Sequence, residues 1–177
     1  MNTQQFERLV RQKAQELQKY AQLEFPTEAG NTALRFIDGN FRAQGWQGSS
    51  FGRWKANKRK GRILVKKGHL RNATYYVVAP GVATIRNTRP YAQIHNEGGS
   101  INKKVTVRAF TKKAYSRKKS TGRGRVKVRS HTVGTHTRQM NLTLPQRQFA
   151  PTDSSPSPVL NKAVERNVVK AFKRIFQ

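Results

Sequence analysis

Residues 51–140 carry 24 lysines and arginines against a single acid, Glu97. Any fold of this chain has to meet that constraint first. Like charges at such density cannot be gathered into one compact body without a compensating partner. The flanks are different: residues 1–50 hold 6 basic and 5 acidic side chains, and residues 141–177 hold 6 and 2. The formal charge of +28 therefore belongs almost wholly to the middle of the chain. Its relief calls for a polyanion or for the acidic face of another protein, and nucleic acid is the default expectation.

Apolar residues make up 35 % of the 177 positions, enough for one modest core and too few for two. With no cysteine, disulfides, thiolate zinc sites and thiol nucleophiles are all excluded. No apolar run has the length that spans a bilayer, and residues 1–10 are polar and amphipathic, unlike a secretory signal. The expectation is a soluble protein, made in a cytoplasm, with no membrane partner.

Along the chain, Phe6, Leu9, Val10, Ala14, Leu17 and Ala21 recur at helical spacing. Pro26 and Gly30 break that pattern, and Asn31 or Thr32 can cap a second helix that places Ala33, Phe36 or Ile37, and Phe41 on one side. Gly45 ends it. Residues 45–61 read as a polar loop pinned by Trp46, Phe51 and Trp54. Residues 62–66 read as a strand, and residues 74–79 and 82–87 as a hairpin about Pro80-Gly81. A helical turn follows at 91–96, stopped by Gly98-Gly99. Strand patterns recur at 101–110 and 124–133, the second by alternation of Val126 and Val128 with Arg125, Lys127 and Arg129. Between them, residues 111–123 read as the tip of a long basic β-arm, disordered when isolated. Leu142, Leu144 and Phe149 make an extended lead-in. Ser157 then caps a last helix with Pro158 at its first position, lined by Leu160, Ala163, Val164, Val168, Ala171, Phe172, Ile175 and Phe176. The fold class is α+β: a small antiparallel sheet from 62–66, 74–79, 82–87 and part of 101–133, covered by the terminal helices. Residues 1–99 and 141–177 form one core domain, and 100–140 the basic arm or insertion.

Two phrases stand out. Gly61-Arg-Ile-Leu-Val-Lys-Lys-Gly-His-Leu-Arg-Asn-Ala73 runs an apolar triplet into a glycine turn. Arg89-Pro-Tyr-Ala-Gln-Ile-His-Asn-Glu-Gly-Gly99 closes an aromatic-led turn on two glycines. Trp54 lies upstream of both, and Arg147-Gln-Phe149 precedes the final helix. In that order, from about Phe36 to the C-terminus, these segments resemble the phage virion morphogenesis family, the tail-completion or neck proteins of long-tailed bacteriophages. The basic segment after Gly99 is longer than that family usually has. The resemblance implies a structural virion protein of the head–tail junction or tail end, a connector built into the virion during assembly in the host cytoplasm. It implies a homo-oligomer that acts by closing a ring and binding neighbouring virion proteins. Trp54, Ile63, Leu64, Leu70, Tyr91 and Phe149 are then expected in the core or at subunit contacts. No cofactor is expected.

For the polyanion or acidic partner, the candidate residues are Lys103, Lys104, Lys112, Lys113, Arg117, Lys118, Lys119, Arg123, Arg125, Lys127 and Arg129. Packaged DNA, held without sequence preference, fits them, since no recognition helix or zinc finger accompanies the charge. His95 and Glu97 have the spacing of a base and its partner, but with no nucleophile or metal ligands beside them they are expected to hold a turn by hydrogen bonds. His131 and His136 lack the further ligands of a metal site. Asp38 and Asp153 are the only aspartates, and neither a Gly-x-Ser-x-Gly elbow nor a phosphate-binding glycine loop occurs. No metal site and no enzyme activity are expected. A rival from another class, a non-specific nucleic-acid-binding protein of ribosomal or nucleoid type, shares the charge but leaves the ordered motifs and the near-neutral first fifty residues without explanation.

Overall fold

A computed structural model describes residues 2–57, 60–120 and 122–177. Met1 lies outside the described residues, as do Lys58 and Arg59 of the expected polar loop and Thr121 of the expected tip. The protein is α+β, and it divides into two compact units, Met1–Gly98 with Pro145–Gln177 and Gly99–Leu144.

The first unit opens with α1 (Thr3–Lys19), capped by Asn2, whose side chain accepts from Gln5 while the Gln5 side chain returns the bond. The helix does not stop where proline was expected to stop it. It widens into a π turn over Tyr20–Glu24 and runs on as α2 (Phe25–Ala43). In an unbroken α-helix the N–H of residue 26 would bond the carbonyl of Gln22, and proline has none to offer. The π turn, in which the Phe25 N–H reaches back to Tyr20, carries the chain past that gap. The freed Gln22 carbonyl accepts instead from the N–H of Gly81, at the tip of the next hairpin (3.1 Å). Pro26 therefore joins two elements rather than separating them.

Gly30 was likewise expected to break the helix, but it lies within α2. A Cβ there would sit 2.5 Å from the ring of Tyr76, so glycine is what lets the hairpin approach the helix. That hairpin is β3 (Thr74–Ala79) paired with β4 (Val82–Asn87). Before it come a short ladder of β1 (Gly45–Gln47) with β2 (Phe51–Arg53), inside the stretch expected to be all loop, and the short helix α3 (His69–Asn72). After it comes α4 (Ala92–Glu97). The last helix, α5 (Pro158–Phe176), starts as expected at Ser157, whose hydroxyl accepts from the Leu160 N–H and donates to the Gln47 carbonyl.

Residues 62–66 form no strand. Leu64 adopts a left-handed conformation (φ 58°), which no ladder accommodates. The backbone of Ile63 finds its partner in a side chain instead. Gln44, itself the left-handed cap of α2, accepts from the Ile63 N–H and donates to its carbonyl. Nor is there one sheet: the strands form separate two-stranded antiparallel ladders. The unit is held together by α2, whose Ala33, Phe36, Ile37 and Phe41 are buried with Trp54, Leu70, Ala92, Phe149 and Leu160. Phe41 meets the Trp54 ring edge-on at 5.5 Å and the Phe149 ring at 5.2 Å. A smaller cluster joins Tyr20 to Ala171 and Ile175 of α5, while Phe172 and Phe176, expected on the same packed side, remain exposed. Burial and the carboxylate of Glu28, which accepts the Tyr20 hydroxyl at 2.9 Å, push the Tyr20 pKa up to about 12.

The second unit consists of three nested ladders. β5 (Gly99–Val107) pairs with β10 (His136–Leu144), β6 (Phe110–Lys112) with β9 (His131–Val133), and β7 (Tyr115–Lys118) with β8 (Arg125–Val128). The gaps between ladders are two residues long on both sides, so one register runs from Gly99 opposite Leu144 to Lys118 opposite Arg125. Pairing thus continues into the stretch expected to be a disordered tip, and Lys119 N–H still bonds the Gly124 carbonyl at 3.1 Å. The cause is alternation: Tyr115 and Arg117 lie opposite Val128 and Val126, which gives one face of the last ladder something apolar to pair.

Replacing Gly30 by alanine tests the approach of Tyr76. Intrinsic propensity alone favours alanine by about 1 kcal/mol. The clash with the base of a packed ring outweighs that gain, and Gly30→Ala is expected to lower stability by about 1–3 kcal/mol in urea unfolding.

Candidate functional site

The motif residues are far apart in sequence, and one extended segment gathers them. Arg147, Gln148 and Phe149 are buried yet belong to no strand. A buried backbone without a ladder must find partners elsewhere, and here almost every partner is a side chain. Asn96 accepts from the N–H groups of Phe149 and Ala150 and donates to the Ala150 carbonyl. Asn40, fully buried, donates to the Phe149 carbonyl and accepts from Gln47. The Trp54 indole donates to the Gln148 carbonyl at 2.8 Å, and Arg147 N–H bonds the His95 carbonyl at 2.9 Å. Of the residues expected in the core or at contacts, Trp54, Leu70 and Phe149 are fully buried, and Ile63 and Leu64 pack against them half-buried. Tyr91 departs from a core position, with 41 % of its surface exposed. Asn40 and Asn96 escaped notice in the sequence; the available signal was an asparagine beside apolar positions on a helix, Asn40 next to Phe41.

Beside this segment lies a pocket of about 510 Å³. Arg147 and His95 line it, with Leu64, Leu70, Tyr91 and the turn of Lys66, Lys67 and Gly68. Arg147 is 7 % exposed and makes no ion pair among the described residues; it donates to the carbonyls of Lys55 (3.0 Å) and Ala56 (3.5 Å). His95 and Glu97 do not hold the turn together as expected. Glu97 accepts from Gln93 at 3.2 Å, and the imidazole packs edge-on against Tyr91. Its Nδ1 is the one buried side-chain polar atom without a partner among the described residues. Burial, and next the Arg147 charge, hold the His95 pKa below the ordinary imidazole value.

The cationic candidates lie on the second unit, which has no acid to answer them. Within its end ladder, alternation puts Ser116, Lys118, Arg125 and Lys127 on one face. Lys118 and Arg125 are directly opposite, an arrangement that destabilises a ladder unless an anion lies over it. Lys112 sits over the Tyr115 ring at 4.5 Å. Lys104 shares the polar face of the first ladder with Asn102, Thr106, Gln139 and Asn141, whereas Lys103 falls on the side of Ile101 and Val105. Lys113 and Arg129 occupy the gap between the end ladders, and Lys119 and Arg123 the turn. His131 and His136 each place Nδ1 within hydrogen-bonding distance of a nearby carbonyl. No group of three or more potential metal ligands occurs among the described residues. Neither is any described helix long and apolar enough to cross a membrane.

Comparison with protein-family models, curated proteins and solved structures finds no match to this chain.

Two outcomes follow from this geometry. Asn96→Ala leaves the Phe149 and Ala150 N–H groups without acceptors and is expected to cost about 2–6 kcal/mol in chemical unfolding, at about 1–3 kcal/mol for each orphaned group. His95 favours its neutral form in the fold. As pH falls below about 6.5, the unfolded chain therefore takes up the proton first and stability drains away. Above that pH the penalty is absent. Melting temperatures between pH 7 and 5 should fall, and less steeply in His95→Gln.

Proposed function

We propose that this protein is a structural component of a bacteriophage virion, at the head–tail junction or tail end, that works by assembling with copies of itself into a ring. The observation that carries the self-assembly reading is α1. Over 17 residues this amphipathic helix buries no side chain, and its apolar stripe, Phe6 (57 % exposed), Leu9 and Val10, faces solvent. Such a stripe on a helix is normally covered, and among the described residues these three side chains remain about half exposed. The stacked pair Phe172 and Phe176 on α5 is likewise exposed, 5.8 Å between centroids. Every two-stranded ladder also leaves edges that a neighbour can extend. The resemblance of the ordered motifs to virion morphogenesis proteins supplies the virion setting. Binding energy does the work here, without a chemical step.

A second reading draws on Lys118 opposite Arg125. That cationic face suits the phosphates of nucleic acid, either DNA passing through a junction or free nucleic acid bound by a ribosomal or nucleoid-type protein.

Sedimentation velocity separates the two. The ring reading expects a discrete oligomer that persists in salt and reverts to monomer in the Phe6→Ser, Leu9→Ser, Val10→Ser variant, with the far-ultraviolet spectrum unchanged. A monomer at every concentration, binding duplex DNA with an affinity that falls steeply with salt, would overturn the ring and favour the nucleic-acid reading.

A further inference from the structure

We infer that the pocket formed by Leu64, the Lys66–Lys67 turn, α4 and Arg147 is a receptor for a carboxylate side chain carried by an acidic segment of another protein. This goes beyond the ring reading and stands without it, since every residue involved lies in one chain.

The pocket's size falls in the range of ligand sites, roughly 300–1,000 Å³. Among the described residues three permanent cations line it, Arg147, Lys66 and Lys67, and no carboxylate does. Arg147 is the decisive group. A guanidinium this buried is expensive to leave without a counter-charge. Its acceptors are two neutral carbonyls, the second at the limit of hydrogen-bonding distance. The partnerless Nδ1 of His95 belongs to a second residue lining the same pocket. A carboxylate entering there would accept from the guanidinium and from a protonated Nδ1, while Lys66 and Lys67, both exposed, would meet it at the mouth. The methylene stem of an aspartate or glutamate would find Leu64, Leu70 and the Tyr91 ring as its apolar wall.

The shape argues against a nucleic-acid phosphate. A duplex presents phosphates along a convex backbone, and the second unit offers that chemistry an open cationic face. Arg147 is nine-tenths buried and lines a concave pocket, a setting that suits a single side chain better than a convex duplex. A second copy is also a poor donor. Of the chain's eight acids, Glu16, Glu24, Glu28, Asp38 and Glu97 already accept hydrogen bonds from its own side chains. The other three, Glu7, Asp153 and Glu165, are isolated from one another in sequence and make no acidic segment, so the occupant argued for is a different, acidic protein.

The test is a pH titration of the His95 ring signals by NMR, on the full chain with Lys112, Lys113, Arg117, Lys118, Lys119 and Arg123 replaced by serine, so that the basic ribbon does not capture the probe. The His95→Gln variant assigns the signals. Hexaglutamate is expected to raise the His95 midpoint by about 1–3 pH units, as a carboxylate brought alongside should. Adding Lys66→Ser and Lys67→Ser is expected to weaken that response about threefold to tenfold, with the fold intact because both side chains are exposed. An unmoved midpoint, or full binding in the Lys66→Ser, Lys67→Ser variant, would overturn the proposal. So would an equal response to inorganic phosphate or a short DNA duplex at matched concentration of anionic groups.

Discussion

The first unit depends on how the backbone of residues 147–150 is satisfied. This segment follows β10 and lies in the middle of the core, where no described strand pairs with it. Asn40, Trp54 and Asn96 take the place of a neighbouring strand and hold its peptide groups at 2.8–3.1 Å. Each comes from a different part of the chain, so the segment fastens α2, the 54–57 stretch and α4 to one another. Side-chain bonds of this kind have directional demands that apolar packing lacks. The aromatic contacts of Phe41 with Trp54 and Phe149 supply burial energy, but the asparagines choose the arrangement.

The same economy recurs at Gln22, Gln44 and Gly30. At Gln22 a proline frees a helical carbonyl, and the β3–β4 turn takes it. Gln44 both ends a helix and stands in for a strand beside Ile63. Gly30 gives up helix propensity so that the Tyr76 ring can reach α2. In each case a residue unfavourable by local rules is compensated by a contact distant in sequence, which is how natural folds accommodate local conflicts.

The two units meet the problem of charge in different ways. In the first, Asp38 pairs with Arg71 and Arg42, and Glu24 with Arg174, so acids of the near-neutral segments neutralise part of the unit's charge. The second has no acid and instead spreads its cations along one register. Two-stranded ladders bury little and are marginal alone.

Charge segregation, the α+β class, the β3–β4 hairpin and the α5 cap were all legible in the sequence, because each rests on local composition, period or turn chemistry. The burial of Trp54, Leu70 and Phe149 was legible too, as large apolar residues within ordered motifs. What local signals could not supply was the pairing of groups remote in sequence. Ile63-Leu64-Val65 has the composition of a strand, yet Gln44 and a left-handed Leu64 make it a turn. Pro26 reads as a terminator until the Gly81 N–H accounts for the carbonyl it releases. The roles of Asn40 and Asn96, and the meeting of His95 with Arg147, exist only once segments some fifty to a hundred residues apart are brought within hydrogen-bonding distance. Sequence by itself determined where the charge lies and which elements can form. Tertiary structure alone decided which buried polar groups find each other, because a hydrogen bond depends on position in space and direction, and neither is written in residue order.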